Sequence, residues 1–373
     1  MTMPSILFIL HLPPPVHGAA MVGKYIHDSE LINSEFDCHY INLTTASSLE
    51  DIGHVGWGKV KAFWQLLRKI RQAVREMKPE MVYVTPNAKG GAFYKDFIVV
   101  EMLKRMGCRV VVHFHNKGVA SRQGRWMDNL LYRRFFHGIK VILLAEALYE
   151  DVSKYVKKED VYICPNGIPV EESVDNGMKS GANATPRLLF LSNLLIDKGV
   201  LVLLDALTIL KEKGCPFVCN FIGGETADID ASRFEEEVEK RGLGQHAFYK
   251  GRKYGEEKSE EFANADVFVF PTFYHNECFP LVLLEAMQHR LPVVTTDVGG
   301  IAAIMDNGKT GFLVTCNDEQ AVAEKVERLL TDETLRNEMG QAGRKKFEEE
   351  FTLEKFEHRL CDILSLINRS MPC

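Results

Sequence analysis

The sequence predicts an α/β protein built from two doubly wound, Rossmann-like domains, and three observations carry that reading. Short apolar runs alternate with helical patterns along most of the chain, as βαβ units and a parallel sheet require. The alternation is interrupted once, at residues 171–186, EESVDNGMKSGANATP, a polar stretch rich in Gly, Ser and Asn that reads as a linker. At 373 residues the chain is long for one core, so two domains are the natural expectation. Two such halves, 1–170 and 187–350, would leave a cleft between them.

In the first half the expected strands are 5–10, 36–43, 81–85, 110–114, 141–144 and 162–164. Helical patterns lie between them near 19–32, 59–77, 91–106, 124–136 and 146–157. Beyond the linker, strands are expected at 188–192, 217–223, 247–251, 267–270, 292–296 and 311–314. Only helices follow, around 318–330, 332–349 and 353–369, and the last is free to cross back onto the first half. There is no short-period repeat, which argues against a solenoid.

Composition excludes several classes. An apolar fraction of 46% with 26% charged residues is ordinary for a globular protein, and no apolar run approaches a membrane-spanning length. The first residues, MTMPSILFILHLPPP, lack a basic leader and read as a buried strand rather than a signal peptide. Nine cysteines are scattered without a C-x-x-C pair, which points to reduced thiols in a cytoplasmic protein. Residues 1–165 carry 22 Lys and Arg against 16 Asp and Glu, and the remainder 23 against 35. A basic half joined to an acidic one suggests that one half meets an anionic surface or substrate. No nucleic-acid motif accompanies the basic residues, so nucleic acid is not an expected partner.

The segment VFVFPTFYHNECFPLVLLEAMQHRLPVVTTDVGGI, residues 267–301, is the most telling. An apolar strand leads to Glu277, a helix carries Glu285, and a second strand ends at Gly299-Gly300. Ligands of open α/β sheets bind at the carboxyl ends of strands. Amides at a helix start, here near Phe279, Leu281 and Val282, suit a phosphate, and carboxylates suit sugar hydroxyls. Pro280 is expected in the first helical turn. Glu285 is either a polar residue on an exposed face or, given the surrounding LVLLEAM, a buried and partnered carboxylate.

Three other constellations lie at strand ends. In the loop from His11 to Ala20, Gly18 lets a phosphate or sugar approach closely, or simply makes a turn. His113 and His115 alternate around Phe114, so one is read as a core histidine and the other as a hydrogen-bonding group for a substrate hydroxyl. Two histidines alone are poor grounds for a metal. Lys198, beside Gly199, either reaches a phosphate as a point charge or is a solvated residue after a helix-capping Asp197.

These motifs resemble those of the retaining glycosyltransferases of family four, with the GT-B fold. The resemblance covers nearly the whole chain: the E-x7-E segment Glu277–Glu285, LPVVTTDVGGI, NGKTGFLV, PNGI, SNLLIDKG and FIGGE. It implies sugar transfer from a UDP- or GDP-linked donor, with retention and without a metal or separate cofactor. The acceptor it implies is a glycan or lipid-linked oligosaccharide of bacterial surface polysaccharide or lipopolysaccharide synthesis. By the same resemblance the Gly18 region faces the diphosphate and acceptor, and His115 contacts the donor sugar. Lys198 neutralises the diphosphate, Glu277 binds sugar hydroxyls, Glu285 binds the ribose, and Arg252 lies near the base. Two departures stand out. Asn193 occupies a position where the family usually has a diphosphate-binding arginine, so either Arg252 or Lys253 substitutes or turnover depends more on Lys198. Pro280 replaces a common glycine and removes one amide donor.

Residues 59–75 form a basic amphipathic pattern with Phe63, Trp64, Leu66, Leu67, Ile70 and Val74 available to bury. It reads either as a helix packed on the sheet or as peripheral docking on anionic lipid at the inner face of the membrane. Two further readings compete with sugar transfer: a GT-B sugar-nucleotide epimerase or phosphorylase, and a non-enzymatic two-domain sugar-binding protein.

Overall fold

The computed structural model describes residues 3–14, 17–44, 57–171 and 185–370. Most of the expected linker, residues 172–184, lies outside the described residues. The chain divides into two compact units, Met1–Asn166 with Leu353–Cys373, and Gly167–Thr352.

Unit 1 holds a six-stranded sheet of β1 (Ser5–Leu10), β2 (Asp37–Asn42), β3 (Met81–Val84), β4 (Val110–His113), β5 (Lys140–Leu143) and β6 (Val161–Ile163). The order is β2-β1-β3-β4-β5-β6, and every pairing is parallel. Its inner strands are continuous apolar runs because helices cover both faces; Ile6 to Leu10 and Val110 to Val112 are fully buried. The helices are α1 (Gly18–Asp28), α2 (Glu30–Glu35), α3 (Trp57–Met77), α4 (Gly90–Arg105), α5 (Trp126–Phe136) and the single turn α6 (Tyr149–Val152).

Two helix expectations need correction. The pattern at 19–32 is two helices, because Ser29 leaves helical geometry and its hydroxyl caps α2 by accepting from the Ile32 amide at 3.1 Å. The pattern at 146–157 gives only a 3-10 turn at Glu146–Leu148 and α6. On the helix at 59–75, Leu66, Leu67, Ile70 and Val74 are buried in unit 1 and the basic face is exposed, so α3 packs through its apolar stripe.

Unit 2 holds β7 (Arg187–Leu191), β8 (Val218–Ile222), β9 (Ala247–Tyr249), β10 (Val267–Phe270), β11 (Val293–Thr296) and β12 (Gly311–Val314). The order β12-β11-β10-β7-β8-β9 is again parallel throughout. Its helices are α7 (Val200–Glu212), α8 (Ala231–Lys240), α9 (Gly255–Asn264), α10 (Leu281–Gln288), α11 (Ile301–Ile304), α12 (Glu319–Thr331) and α13 (Glu333–Glu350). The final helix, α14 (Leu353–Ser370), packs in unit 1 against α2. There Asn368 Nδ2 donates to Glu80 Oε2 at 3.1 Å, and Phe356, Leu360, Leu364 and Ile367 are buried.

The strand orders decide where loops converge. In unit 2 the chain runs outward from β7 to β9, then returns to place β10 on the other side of β7. In unit 1 the same reversal separates β1 from β3. Ligands of open α/β sheets bind outside the carboxyl ends of the strands at such reversals.

Candidate active site

The reversal in unit 2 brings together the loops after β7 and β10. They are stitched by backbone, where the Phe273 amide donates to the Asp197 carbonyl at 2.8 Å, and the loop after β10 is turned within itself by the Glu277 amide donating to the Tyr274 carbonyl at 2.8 Å. Gly199 adopts φ +87°, and a side chain there would overlap the Pro271 carbonyl, so the glycine after Lys198 permits the close approach of the two loops.

On this frame Lys198 Nζ donates to Glu277 Oε2 at 2.5 Å, with the two side chains 15% and 9% exposed. Thr272 Oγ1 lies 3.5 Å from the same carboxylate oxygen, and the Lys198 ammonium sits 4.5 Å from the Tyr274 ring centroid. An ion pair this withdrawn from water is held by geometry, because both charges need partners. Gly299, at φ +65°, supports it from behind. A Cβ there would run into the Glu277 carbonyl oxygen, and the Gly300 amide donates to the Cys278 carbonyl at 2.7 Å.

α10 begins one residue later than expected. Pro280 is its N-cap residue, at φ −69° and ψ 118°, and is not in the first turn. The leading amides are therefore those of Leu281 and Val282, which have no acceptor within the helix, while the Leu283 amide returns to the Pro280 carbonyl at 3.2 Å. Phe279 precedes the cap and is buried edge-on to Phe351. Glu285, in the second turn, is 16% exposed and pairs with Lys258 Nζ of α9 at 2.6 Å. Burial raises its carboxyl above the usual range, and Lys258 opposes that rise.

Behind Glu285, His289 Nδ1 donates to the Glu285 carbonyl at 2.9 Å, which leaves Nε2 to face Ser259 Oγ at 3.2 Å. Asn193 Oδ1 accepts from the Gly224 amide at 3.1 Å, and a side chain at Gly224 would overlap the Arg252 guanidinium. Asn193 and Arg252 thus flank the same glycine. Lys253 is held elsewhere, by Glu261 at 2.5 Å.

In unit 1, His113 is a core residue, its Nδ1 2.5 Å from the Tyr83 hydroxyl. His115 lies past the end of β4 with its ring against His113, centroids 4.3 Å apart. Both its nitrogens are buried without a hydrogen-bond partner among the described residues. Burial, with His11 and His17 nearby, lowers its pKa to about 3, so it is neutral. Gly18 opens α1, whose cap His17 accepts the Ala20 amide on Nδ1 at 3.3 Å. A side chain at Gly18 would meet open space. His11, on the same loop, has a pKa lowered to about 3 by burial and by Lys95. Its Nε2 accepts from Asn87 Nδ2 at 3.3 Å, so Nδ1 carries the proton toward Thr44 Oγ1, also at 3.3 Å.

The structure therefore joins Lys198 with Glu277 and Asn193 with Arg252 in unit 2, and sets His115 near the Gly18 loop in unit 1. Lys258, Thr272, Tyr274, His11 and Asn87 were not singled out by the sequence. Lys258 has no local signal, since it precedes Glu285 by 27 residues on a separate helix. Among the described residues no group of three or more His, Cys, Asp or Glu is placed to hold a metal ion.

Residues 175–346 match the family model for glycosyl transferases group 1. The capsular polysaccharide biosynthesis glycosyltransferase CapM of Staphylococcus aureus is 34% identical over 163 residues, 44% of this chain and 41% of that protein. The match spans less than half of that relative's length. Among solved structures, sucrose-phosphate synthase from Thermosynechococcus elongatus superposes with a TM-score of 0.76 at 17% identity, covering 99% of this chain and 100% of that one. Anabaena HepE in complex with UDP gives 0.73 at 17% identity, covering 97% and 100%. At such identities the likeness shows the fold.

Proposed function

We propose that this chain, whose residues 175–346 match the family model for glycosyl transferases group 1 and which shares the GT-B fold, moves a hexose from a nucleotide-sugar donor to a glycan or lipid-linked acceptor with retention of anomeric configuration. The observation that carries this reading is the pairing of Lys198 with Glu277 where the strand order of unit 2 reverses, ahead of the free amides of α10. A donor diphosphate would draw the Lys198 ammonium to itself and free the Glu277 carboxylate for sugar hydroxyls. The amides of Leu281 and Val282 would share the developing charge on the leaving group. Glu285 would take the ribose diol, held in place by Lys258. Arg252, beside Asn193, is the better candidate than Lys253 for the missing arginine, because Glu261 already holds Lys253.

No carboxylate is placed as a covalent nucleophile in this reading, so we favour front-face displacement in which the departing phosphate deprotonates the acceptor hydroxyl. His115, neutral and without a hydrogen-bond partner among the described residues, would bind a hydroxyl of the donor sugar. The likeness to CapM supports a polysaccharide acceptor, and the fold shared with UDP-bound HepE supports a nucleoside-diphosphate sugar as donor.

The test is incubation with a panel of UDP- and GDP-sugars, with and without lipid-linked and glycan acceptors. Nucleotide release that depends on acceptor, with retained configuration in the product by NMR, is the expected outcome. Interconversion of the donor without acceptor would replace this reading with an epimerase, and binding without release with a sugar-binding protein.

A further inference from the structure

Unit 1 carries an exposed surface apart from the residues assigned above to sugar chemistry. On α5, Asp128, Tyr132, Phe135 and Phe136 are buried. The Tyr94 hydroxyl of α4 donates to Asp128 at 2.6 Å, and Arg134 pairs with Glu101 of α4 at 2.5 Å. These two links run α4 and α5 side by side. The opposite face of α5 exposes Trp126 (79%), Met127 (48%) and Leu130 (58%). At about 100° per residue these three fall within roughly 100° of arc, and Arg133 and Arg134 continue the same face. Ile98, exposed on α4 between Tyr94 and Glu101, lies alongside. Single exposed apolar residues are ordinary, but a tryptophan grouped with three aliphatic side chains marks a binding surface.

Its surroundings are cationic. Arg125 and Arg133 are exposed, and Lys154 reaches the Gln123 carbonyl just ahead of α5. α3, α4 and α5 are successive crossovers in one direction across the sheet, so right-handed connection puts them on the same face. The solvent side of α3 repeats the pattern, with Trp64 57% exposed and Arg68, Arg71 and Arg75 following at helical spacing. The excess of 22 basic over 16 acidic residues in 1–165 gives this half the sign that anionic headgroups attract.

We propose that this helix layer docks unit 1 on an anionic lipid bilayer. Trp126, Met127 and Leu130 enter the boundary between headgroups and acyl chains, and Arg68, Arg71 and Arg75 of α3, with Arg125 and Arg133, meet the lipid phosphates. An aromatic and aliphatic face ringed by arginine is the pattern of an interfacial helix. α5 supplies the inserted residues, because the apolar stripe of α3 is already buried against its own sheet. The docking does not depend on the reaction proposed above.

The test is flotation of the full chain with phosphatidylcholine vesicles, with and without phosphatidylglycerol, at low and high salt. The wild-type chain is expected to float only with anionic vesicles, and less at high salt. Trp126→Ser with Leu130→Ser should lower the bound fraction by at least ~10-fold, the scale for losing an apolar contact of this size. Arg68→Glu with Arg71→Glu and Arg75→Glu should abolish the salt-sensitive part. Both variants should unfold at the wild-type temperature, since all the altered side chains are exposed. In a chain with Trp57→Phe and Trp64→Phe, Trp126 is the one tryptophan left of three, and its emission should shift to the blue on anionic vesicles. Absence of binding, unchanged binding of the Trp126/Leu130 variant, or a wild-type dimer that this variant makes monomeric would each overturn the proposal.

Discussion

Lys198 Nζ stands 2.5 Å from Glu277 Oε2 across 79 residues of sequence, and each is the other's main source of compensating charge in a partly buried site. Removing either side chain strands its partner and, in the proposed reading, removes a contact to donor. Lys198→Ala and Glu277→Ala should each slow turnover by at least ~10²-fold, the scale for losing a preorganised charge. The double variant should be little worse than the poorer single one, because the two act as a unit. Initial rates of nucleotide release check this; near-wild-type turnover in both singles would remove Lys198 and Glu277 from the mechanism.

Glu285 depends on Lys258 in the same way. Glu285→Ala should lower the rate by at least ~10²-fold. Lys258→Met should act through Glu285, raising donor KM by roughly 10-fold with a smaller change in kcat, while Lys258→Arg restores most of the loss. A kcat effect without a KM effect would show that Lys258 does not position Glu285 for the ribose contact proposed above.

Gly299 presses against the Glu277 carbonyl in a left-handed backbone conformation. Gly299→Ala combines backbone strain with a collision, and should cost at least ~2 kcal/mol of stability. It should also reduce activity beyond that loss, because relieving the collision displaces Glu277. Urea unfolding and kinetics on the folded fraction measure the two effects separately.

His11 and His115 have folded pKa values of about 3 against 6.5 for a free imidazole. Below pH 6.5 the unfolded chain binds protons that the folded chain refuses, so stability falls as pH drops through the window from 6.5 to 3. From pH 7 to 5 the two together should cost about 4 kcal/mol. His115→Gln should flatten that dependence by about 2 kcal/mol, the share of one such group, while His11 and the buried core residue His113 keep theirs. Urea midpoints across the range provide the check, and an unchanged slope in the variant would mean that His115 is not the group refusing protons.

Much of the fold was legible in the sequence because its strands are covered on both faces. Runs such as ILFIL at β1 and VFVF at β10 have no alternative to burial, and all twelve described strands fall within a residue or two of their expected places. Helix ends were less legible. Ser29 sits inside a continuous helical pattern, and only its capping bond to Ile32 shows that the helix stops there. Pro280 was expected in the first turn, and its ψ of 118° puts it at the cap.

The E-x7-E spacing, the glycines at 199 and 299 and the two-domain alternation are properties of the sequence by itself, since they follow from local periodicity and backbone freedom. Which charges meet was decided only by tertiary structure. Lys198 finds Glu277 because β7 and β10 are neighbours, and Lys258 finds Glu285 because α9 packs beside α10's second turn. The exposed tryptophan face lies on α5, and α3 buries most of its apolar stripe, for the same reason. An amphipathic helix carries in its sequence the width of its apolar face. Whether that face is covered depends on neighbours brought in by strand order, which local pattern does not encode.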